Sequence, residues 1–320
     1  MTSTNFVGID IAKDKFDVAI QLNNQDTHLT FNNDKQGHNK FLKWLNKTTA
    51  SPWVCMEATG HYGTMLADFL YAKGVKLSVV NPYQIKNFAR ASLARNKNDI
   101  VDARLISQFC ERMNPRLYTP ISSGQKEIRE LIKVMDMLGD QKNRMNQQMS
   151  SMQCPSVKTI QQRVVRKLEQ EIKKLDKKIK ELISEDEIFS EHFKLLTSIQ
   201  GVGKQTAFRV IGFLPDVSLF HSAKQFAAYI GVTPKQHQSG KMMGKTTLSK
   251  MGSPRMRKAL YMAALVAKRH NKGLADFVNR LKNKGKKPKS IVGAVMRKLA
   301  HLIFVILKNK QPFDANYSVA

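Results

Sequence analysis

The sequence has few acidic residues, few cysteines and no long apolar run. Its three cysteines, Cys55, Cys110 and Cys154, are far apart and lack metal-binding spacing, which excludes a disulfide framework and fits reduced thiols. The longest apolar run near the end, His301–Leu307, is shorter than the ~20 residues of a membrane span. The start MTSTNF lacks a basic-then-apolar signal. We therefore expect a cytoplasmic protein that is not inserted in a membrane.

Acidic residues are scarcest in the last part of the chain. The 320 residues include 53 Lys and Arg against 25 Asp and Glu, a net charge of +28. Lys194–Ala320 contains 24 basic and only 3 acidic residues, so this segment carries +21 of that charge. A surplus of this size indicates a polyanionic partner, and without a membrane segment nucleic acid is favoured. The nearly balanced first part can then carry the chemistry.

Residues 1–113 predict an α/β domain around a mixed sheet. Residues 5–20 (NFVGIDIAKDKFDVAI) predict a hairpin of two strands, because apolar residues alternate along them. Strands and helices then follow at Thr27–Asn32, Lys35–Asn46, Pro52–Ala58, His61–Lys73, Val75–Val80, Tyr83–Ala94 and Asp99–Arg112. Three strands in series and then alternating helices and strands are typical of a mixed sheet covered by helices.

The first domain contains four carboxylates in positions that suit a metal ion: Asp10 inside an apolar strand, Glu57 at a strand end, and Asp99 and Asp102 on one helix face. Burying a carboxylate costs free energy unless it is paired or binds a cation. Oxygen ligands suit Mg²⁺ or Mn²⁺, and two such ions can clamp the attacking and leaving oxygens of a phosphodiester. Three of the four also have a structural explanation. Asp10 could face water from an edge strand, Asp99 could cap a helix, and Asp102 could pair with a neighbouring arginine.

Residues 114–193 predict a long helical, coiled-coil-like linker. Helical composition extends over residues 125–183 and is broken at Cys154-Pro155-Ser156. After the break, apolar residues step by four, three, four and three positions, which forms a heptad seam: Leu168, Ile172, Leu175, Ile179 and Leu182. Two helices of similar length around a break indicate an antiparallel hairpin or an arm that pairs with a second copy.

Residues 194–320 predict a basic, mainly helical domain. Gly201-Val202-Gly203 lies between two helical runs; it resembles a helix-hairpin-helix turn, where backbone N–H groups meet a phosphate, and an ordinary tight turn explains it equally well. A polar loop extends over Thr233–Gly252, and long loops in small domains are often functional. A nucleophile in or beside this loop could be Ser239, Ser249 or Ser253, of which Ser253 is already explained as a helix cap.

Four segments of the first domain resemble, in order and spacing, the RuvC-like domain of bacterial insertion-sequence transposases: GIDIAKDKFDVAI, CMEATGHYG, VVNPYQIKNFA and RNKNDIVDARLI. These transposases are the DEDD recombinases related to the pilin-gene invertases, and some are guided by a bridge RNA. The resemblance implies an RNase H-like fold and puts the acidic tetrad of the family on Asp10, Glu57, Asp99 and Asp102. Three later segments, SIQGVGKQTA, AKQFAAYIGVTPKQHQSGK and SKMGSPRMRKALYMAA, resemble the C-terminal transposase domain. Its catalytic serine follows a Thr-Pro motif and corresponds here to Ser239.

The resemblance implies a DNA recombinase or transposase of a mobile element. The tetrad would hold Mg²⁺ or Mn²⁺, and Ser239 would attack the phosphodiester to form a 5′-phosphoserine-type link. The implied partners are donor and target DNA, a guide RNA and further copies of the chain, as a dimer or tetramer in which one copy's tetrad meets another copy's serine.

Two other functions fit the residues without the resemblance. A metal-dependent endonuclease or junction resolvase would use the tetrad with an activated water and would not need Ser239. A non-catalytic nucleic-acid-binding protein would need only the basic C-terminal domain, and Asp10→Asn would then leave its activity intact.

Overall fold

The structure, a computed structural model, describes residues 4–22, 25–58, 60, 62–92, 99–236, 238–239, 242–244 and 246–314. The chain divides into two units, Met1–Pro120 and Ile121–Ala320. The three domains expected from the sequence, with borders after residues 113 and 193, stay a prediction.

The first unit contains five strands and four helices in its described part. Their order is β1 (Asn5–Ile11), β2 (Lys15–Leu22), β3 (Gln25–Asn32), α1 (Lys35–Thr48), β4 (Pro52–Glu57), α2 (Thr64–Ala72), β5 (Lys76–Val80), α3 (Pro82–Ala91) and α4 (Asp99–Met113). The expected alternation of strands and helices is therefore present, with ends displaced by a few residues. Gly74, which follows the end of α2, has a positive φ of 73°, a conformation that glycine adopts without steric cost.

The strands form one mixed sheet in the order β3-β2-β1-β4-β5. The pairs β1–β2 and β2–β3 are antiparallel, whereas β1–β4 and β4–β5 are parallel. One face packs on α1 and α2 through a core that includes Val7, Ile9 and Phe41. The other face packs on α3 and α4 through Cys55, Ile106 and their neighbours. Since β1 is the central strand, the explanation of Asp10 as an edge-strand residue is wrong.

The second unit is mostly helical. Its helices are α5 (Ser123–Ser151), α6 (Pro155–Glu185), α7 (Glu187–Ser198), α8 (Lys204–Phe213), α9 (Ala223–Ile230), α10 (Pro254–His270), α11 (Ala275–Asn283) and α12 (Pro288–Asn309). Between α9 and α10 lie four two-residue strands, β6 (Pro234–Lys235), β7 (Gln238–Ser239), β8 (Met242–Met243) and β9 (Thr247–Leu248). The segment expected to be an irregular loop thus contains two short ladders, β6–β9 and β7–β8.

Helices α5 and α6 pack side by side as an antiparallel hairpin. Gln161 donates a hydrogen bond to the Met145 carbonyl at 2.7 Å near the hairpin's tip, and Lys178 pairs with Glu127 at 2.8 Å near its base. The heptad seam is used inside this chain, because Ile179 is fully buried and its neighbours on the seam pack against the same core. A second copy would therefore have to contact a different stripe of the hairpin.

Helix α12 is the one described helix that is long and apolar enough to cross a membrane, with a mean hydropathy of 1.8 in its most apolar window. In this fold 61% of that window is buried inside the protein. Leu299, Ile303 and Leu307 pack into the core of the second unit. The helix therefore serves as a core helix here.

Candidate active site

Asp10 and Glu57 occupy neighbouring positions on the two central parallel strands. The register of β1 and β4 pairs Ile9 with Met56, so the next pair along the strands is Asp10 and Glu57. Neighbouring strands lie about 4.8 Å apart. Asp10 is the penultimate residue of β1 and Glu57 is the last residue of β4, so both lie near the carboxyl ends of their strands, and both are half-buried.

Both carboxylates belong to the face of the sheet that α4 covers. A Cβ atom on Gly8 would lie 1.9 Å from the Ala103 carbonyl oxygen of α4, and Asp10 shares this face because it is two residues further along the strand. On β4, Cys55 belongs to the cluster that contains Ile106 of α4. Glu57, two residues after Cys55, therefore has the same orientation.

The start of α4 lies level with Asp10. Ser107 donates a hydrogen bond to the Phe6 carbonyl at 2.8 Å, and Ala103 lies against Gly8. Four helical residues rise about 6 Å and two strand residues about 6.6 Å, so the two elements keep step while running in opposite directions. Four residues before Ala103 on the helix and two residues after Gly8 on the strand, the same spacing brings the backbone of Asp99, the first residue of α4, beside that of Asp10.

Asp102 lies on the side of α4 that faces β4. Ile106, one turn further along, packs with Trp53 and Cys55 of β4, and residues four apart share a helix face. A hydrogen bond to Cys110 and burial raise the pKa of the Cys55 thiol, and this contact joins β4 to α4. The arginine two residues on, Arg104, pairs with Asp26 at 2.8 Å.

The donor set at this edge suits a hard divalent cation, because it consists of carboxylate oxygens alone. Among the described side chains, no three His, Cys, Asp or Glu residues lie close enough together to hold a metal ion. The side chain of Asp99, the third residue of the expected tetrad, lies outside the described part of the chain. What the structure describes is therefore that the backbones of β1, β4 and the start of α4 approach one another at this edge of the sheet.

Sequence reasoning did not single out Asp17, which is the antiparallel partner of Asp10 on β2. Asp17 is 4% exposed and accepts a hydrogen bond from the Thr30 hydroxyl at 2.5 Å. It also pairs with Lys15 at 3.3 Å and with His28 at 3.4 Å. These contacts explain how a second carboxylate can be buried one strand away from Asp10. Asp17 lies between two apolar residues of β2, where alternation predicts an exposed side chain, so the sequence pattern did not signal its burial.

Ser239 is the last residue of β7 and pairs with Met242 of β8. The stem below it is formed by β6 and β9, which pair Lys235 with Thr247. The Ser239 side chain lies outside the described part of the chain. The backbone therefore presents Ser239 on a short ladder between α9 and α10.

The two other candidate serines have structural roles. The Ser253 hydroxyl accepts a hydrogen bond from the Met256 amide at 3.3 Å and caps α10, as expected from Ser-Pro at a helix start. The Ser249 hydroxyl accepts from the Met251 amide at 3.2 Å. Both hydroxyls therefore serve as hydrogen-bond acceptors for nearby backbone amides.

Both ends of the segment that carries Ser239, the serine loop of residues 232–252, are held by Arg257 of α10. The Arg257 guanidinium donates to the Gly252 carbonyl at 2.9 Å and to the Ile230 carbonyl at 3.3 Å. Burial lowers the pKa of Arg257. The Ser249 amide also donates to the Thr233 carbonyl at 2.8 Å across the stem. The serine loop is thus anchored to the first turn of α10.

Comparison with known proteins identifies relatives along nearly the whole chain. A family model described as transposase, of the IS110 DEDD type, matches residues 7–152. A second, described as transposase of the IS116/IS110/IS902 family, matches residues 193–279. The pilin gene-inverting protein of Moraxella bovis is 32% identical over 98% of both chains. The transposase for insertion sequence element IS1111A of Coxiella burnetii is 25% identical over 86% of this chain and 81% of its own.

Proposed function

The chain belongs to the IS110 family of transposases, and from this premise we propose how it cuts and rejoins DNA. It is a DNA recombinase, and its family implies dependence on a divalent metal. We propose that Asp10, Glu57, Asp99 and Asp102 hold that metal, as Mg²⁺ or Mn²⁺, and that Ser239 is the nucleophile. Two observations carry the proposal: the register of β1 with β4, and the packing of α4 against β1. Together they support a shared site for the four acidic residues.

The chemistry proposed for Ser239 is an exchange of one phosphodiester bond for another. Its hydroxyl oxygen attacks the scissile phosphorus, the bond from phosphorus to one bridging oxygen breaks, the serine proton passes to solvent, and the released oxygen takes a proton. Return of that oxygen, or attack by a hydroxyl of another strand, reverses the step and rejoins DNA without an external energy source. A bound divalent cation would stabilise the charge that develops on the phosphate and on the leaving oxygen.

The fold that we propose for the first unit is RNase H-like, of the RuvC type. The strand order β3-β2-β1-β4-β5 and the parallel pairing of β1 with β4 support this assignment. In such a sheet the strand ends carry the metal ligands, which agrees with the positions of Asp10 and Glu57. We keep the division into residues 1–113, 114–193 and 194–320 as part of the proposal.

We further propose that the protein acts in the cytoplasm as a homo-oligomer and that a guide RNA selects its DNA. An exposed apolar stripe on α6 supports oligomerisation, because Val157, Ile160 and Val164 are spaced by three and four residues and are 47%, 61% and 42% exposed. Replacing the three by glutamine should lower the oligomer number measured by light scattering. An unchanged mass would remove the stripe from the proposal.

A covalent-trap assay tests the nucleophile. The protein, with the RNA that co-purifies with it, is incubated with Mg²⁺ and nicked DNA that carries the ends of its mobile element. Denaturing gels and mass spectrometry then detect DNA attached to the peptide that spans residues 231–241. We expect an adduct that disappears in Ser239→Ala and in Asp10→Asn, while Ser249→Ala, the matched serine control, retains it.

The rival functions give different results in the same assay. Cleavage without an adduct, lost in Asp10→Asn but retained in Ser239→Ala, would establish a metal-dependent nuclease. Binding without cleavage, unchanged in Asp10→Asn and with the co-purified RNA supplied in excess, would indicate a non-catalytic binding protein. Loss of cleavage after ribonuclease treatment, with recovery when the RNA is restored, is the result expected from a guide RNA.

A further inference from the structure

A basic groove lies within the second unit, between α5 and the first turn of α10. It encloses about 460 Å³. One wall is the α5 face that carries Lys133, Asp140 and Arg144, and the other contains Arg255 and Lys258. All the residues that line the groove belong to the second unit, and none of them belongs to the heptad seam of α6.

Cations exceed acids in the groove, and the acids are already paired. Asp136, the more buried of the two carboxylates, pairs with Arg209, whereas Asp140 pairs loosely with Lys258 at 3.4 Å. In the part of the chain that the structure describes, Lys133 and Arg144 have no acidic partner. With Arg209 included, five cations face two carboxylates, so the groove attracts anions.

The spacing of the cations suits a linear polyanion. Lys133 and Arg144 are eleven residues apart on one helix, which corresponds to about 16 Å along the axis. A single phosphate ion cannot contact both ends of such a wall, whereas successive phosphates of one strand can. Arg255 is held over the Phe213 ring at 5.5 Å, which leaves it beside the groove and limits its freedom.

The groove adjoins the serine loop through α10. Arg257 lies between Arg255 and Lys258 in sequence and binds the Gly252 and Ile230 carbonyls at the base of that loop. The first turn of α10 therefore forms one wall of the groove and also holds the base of the serine loop. A strand that is held in the groove is held next to the element that presents Ser239.

We propose that the α5–α10 groove binds the phosphodiester backbone of the single DNA strand that enters the serine loop. This assignment rests on the proposed function, because the DNA identity of the strand follows from the role of Ser239. A recess of about 460 Å³ admits one sugar-phosphate strand.

The test measures binding separately from chemistry. Full-length Ser239→Ala protein is titrated with fluorescein-labelled (dT)12 and (rU)12 at several salt concentrations. The double variant Lys133→Gln/Arg144→Gln should bind (dT)12 about tenfold more weakly near 0.1 M salt. The slope of log affinity against log salt should decrease in magnitude by about 1.4, since each single-strand phosphate contact contributes about 0.7. Lys173→Gln/Lys180→Gln on α6 removes the same charge outside the groove and should change neither quantity.

Asp140→Asn provides a gain-of-affinity variant that does not depend on disrupting the groove. It removes one negative charge from the wall and should strengthen (dT)12 binding about threefold, whereas Glu181→Gln on α6 should not. A (dT)12 probe that contains 4-thiothymidine should crosslink to residues 133–144 or 254–258. Equal effects of the groove and α6 variants, crosslinks confined to other segments, or selective effects on (rU)12 would each overturn the assignment. The adduct assay reports separately on the nucleophile, so the two proposals fail in distinguishable ways.

Discussion

The two units hold their candidate catalytic groups by different means. In the first unit, Asp10 and Glu57 are fixed by the hydrogen-bonded register of the central strands, and α4 lies so close that Gly8 leaves no room for a side chain. In the second unit, Ser239 is carried on two-residue strands whose base is held by Arg257 and by the hydrogen bond from the Ser249 amide to the Thr233 carbonyl. The difference teaches that the proposed metal ligands are fixed by the pairing of whole strands, whereas the proposed nucleophile depends on a few local contacts.

The two units also differ in charge. Met1–Pro120 contains 15 basic and 10 acidic residues, and Ile121–Ala320 contains 38 and 15, so their net charges are +5 and +23. A nearly neutral unit lacks the strong positive potential that would oppose the binding of a divalent cation. We expect the basic unit to supply most of the attraction for DNA, which depends on salt.

Gly8→Ala should give the largest effect on stability. The new Cβ would lie 1.9 Å from the Ala103 carbonyl oxygen and 2.5 Å from the Ser107 amide nitrogen, so α4 must move away from the sheet. We expect the free energy of unfolding to fall by about 3 kcal/mol. Trp44 and Trp53 both lie in the first unit, so tryptophan fluorescence should detect its unfolding at lower denaturant.

Gly139→Ala is the matched control for Gly8→Ala in the second unit. A Cβ on Gly139 meets nothing within 4 Å, and alanine favours a helix by about 1 kcal/mol over glycine. The substitution should therefore leave the second unit as stable or slightly more stable. If Gly8→Ala behaved like Gly139→Ala, α4 would not be held tightly against β1.

Much of the first unit could be predicted from the sequence, because strand alternation and helix periodicity are local signals. The position of Asp10 within an apolar strand was visible in this way. The side-by-side placement of Asp10 and Glu57 was not, since it depends on parallel pairing between strands about 45 residues apart. The burial of Asp17 was hidden for the same reason, because its partner Thr30 belongs to a third strand.

The sequence predicted less about the surroundings of Ser239. A polar, basic segment without periodicity indicated a loop, but two-residue strands give no periodic signal. The cap at Ser253 was predictable because Ser-Pro is a local helix start. The clamp by Arg257 was not, because it joins the start of α10 to the end of α9 across the intervening loop.

Arg257→Gln should loosen the serine loop and leave the first unit unchanged. The variant loses the hydrogen bonds to the Gly252 and Ile230 carbonyls, which contribute about 1–3 kcal/mol because the donor is charged. We expect faster tryptic cleavage after Lys250 and about tenfold less covalent adduct. The tryptophan-detected unfolding of the first unit should stay as in the wild type.

Arg269→Gln, near the other end of α10, is the control for Arg257→Gln. Arg269 is exposed in the last turn of that helix and should be replaceable without effect on the loop. Equal tryptic sensitivity of the two variants would mean that Arg257 is not the clamp.

The difference in charge can be tested on the lysine turn between α11 and α12. Lys284, Lys286 and Lys287 are exposed there, and in the described part of the chain none of them has an acidic partner. Replacing all three by glutamine should reduce the salt slope of duplex DNA binding by up to about 2.7, since each phosphate contact contributes about 0.9. Replacing Lys40, Lys43 and Lys47 on α1 removes the same charge from the first unit and should have little effect. Equal effects would show that both units contact DNA.

The smallest effect concerns pH and the core of the first unit. His38 is 4% exposed, and its Nε2 atom lies 3.0 Å from the Asn33 side-chain oxygen. Burial lowers its pKa below the ordinary value of 6.5, and the charge of Asp34 opposes that shift only partly. The unfolded chain therefore binds the proton more readily, so the stability that neutral His38 contributes is present above pH 6.5 and is lost as the pH falls below it.

His38→Gln should remove this pH dependence, because its amide can still donate to Asn33 but cannot be protonated near neutral pH. Denaturant titrations followed by tryptophan fluorescence at pH 7 and pH 5 should show a smaller loss of stability in the variant than in the wild type. Burial also lowers the pKa of His192 and His301 in the second unit, so its unfolding, followed by helical circular dichroism, should stay sensitive to acid in the same variant. An equal pH response of the fluorescence signal in the wild type and in His38→Gln would mean that His38 does not set the acid sensitivity of the first unit.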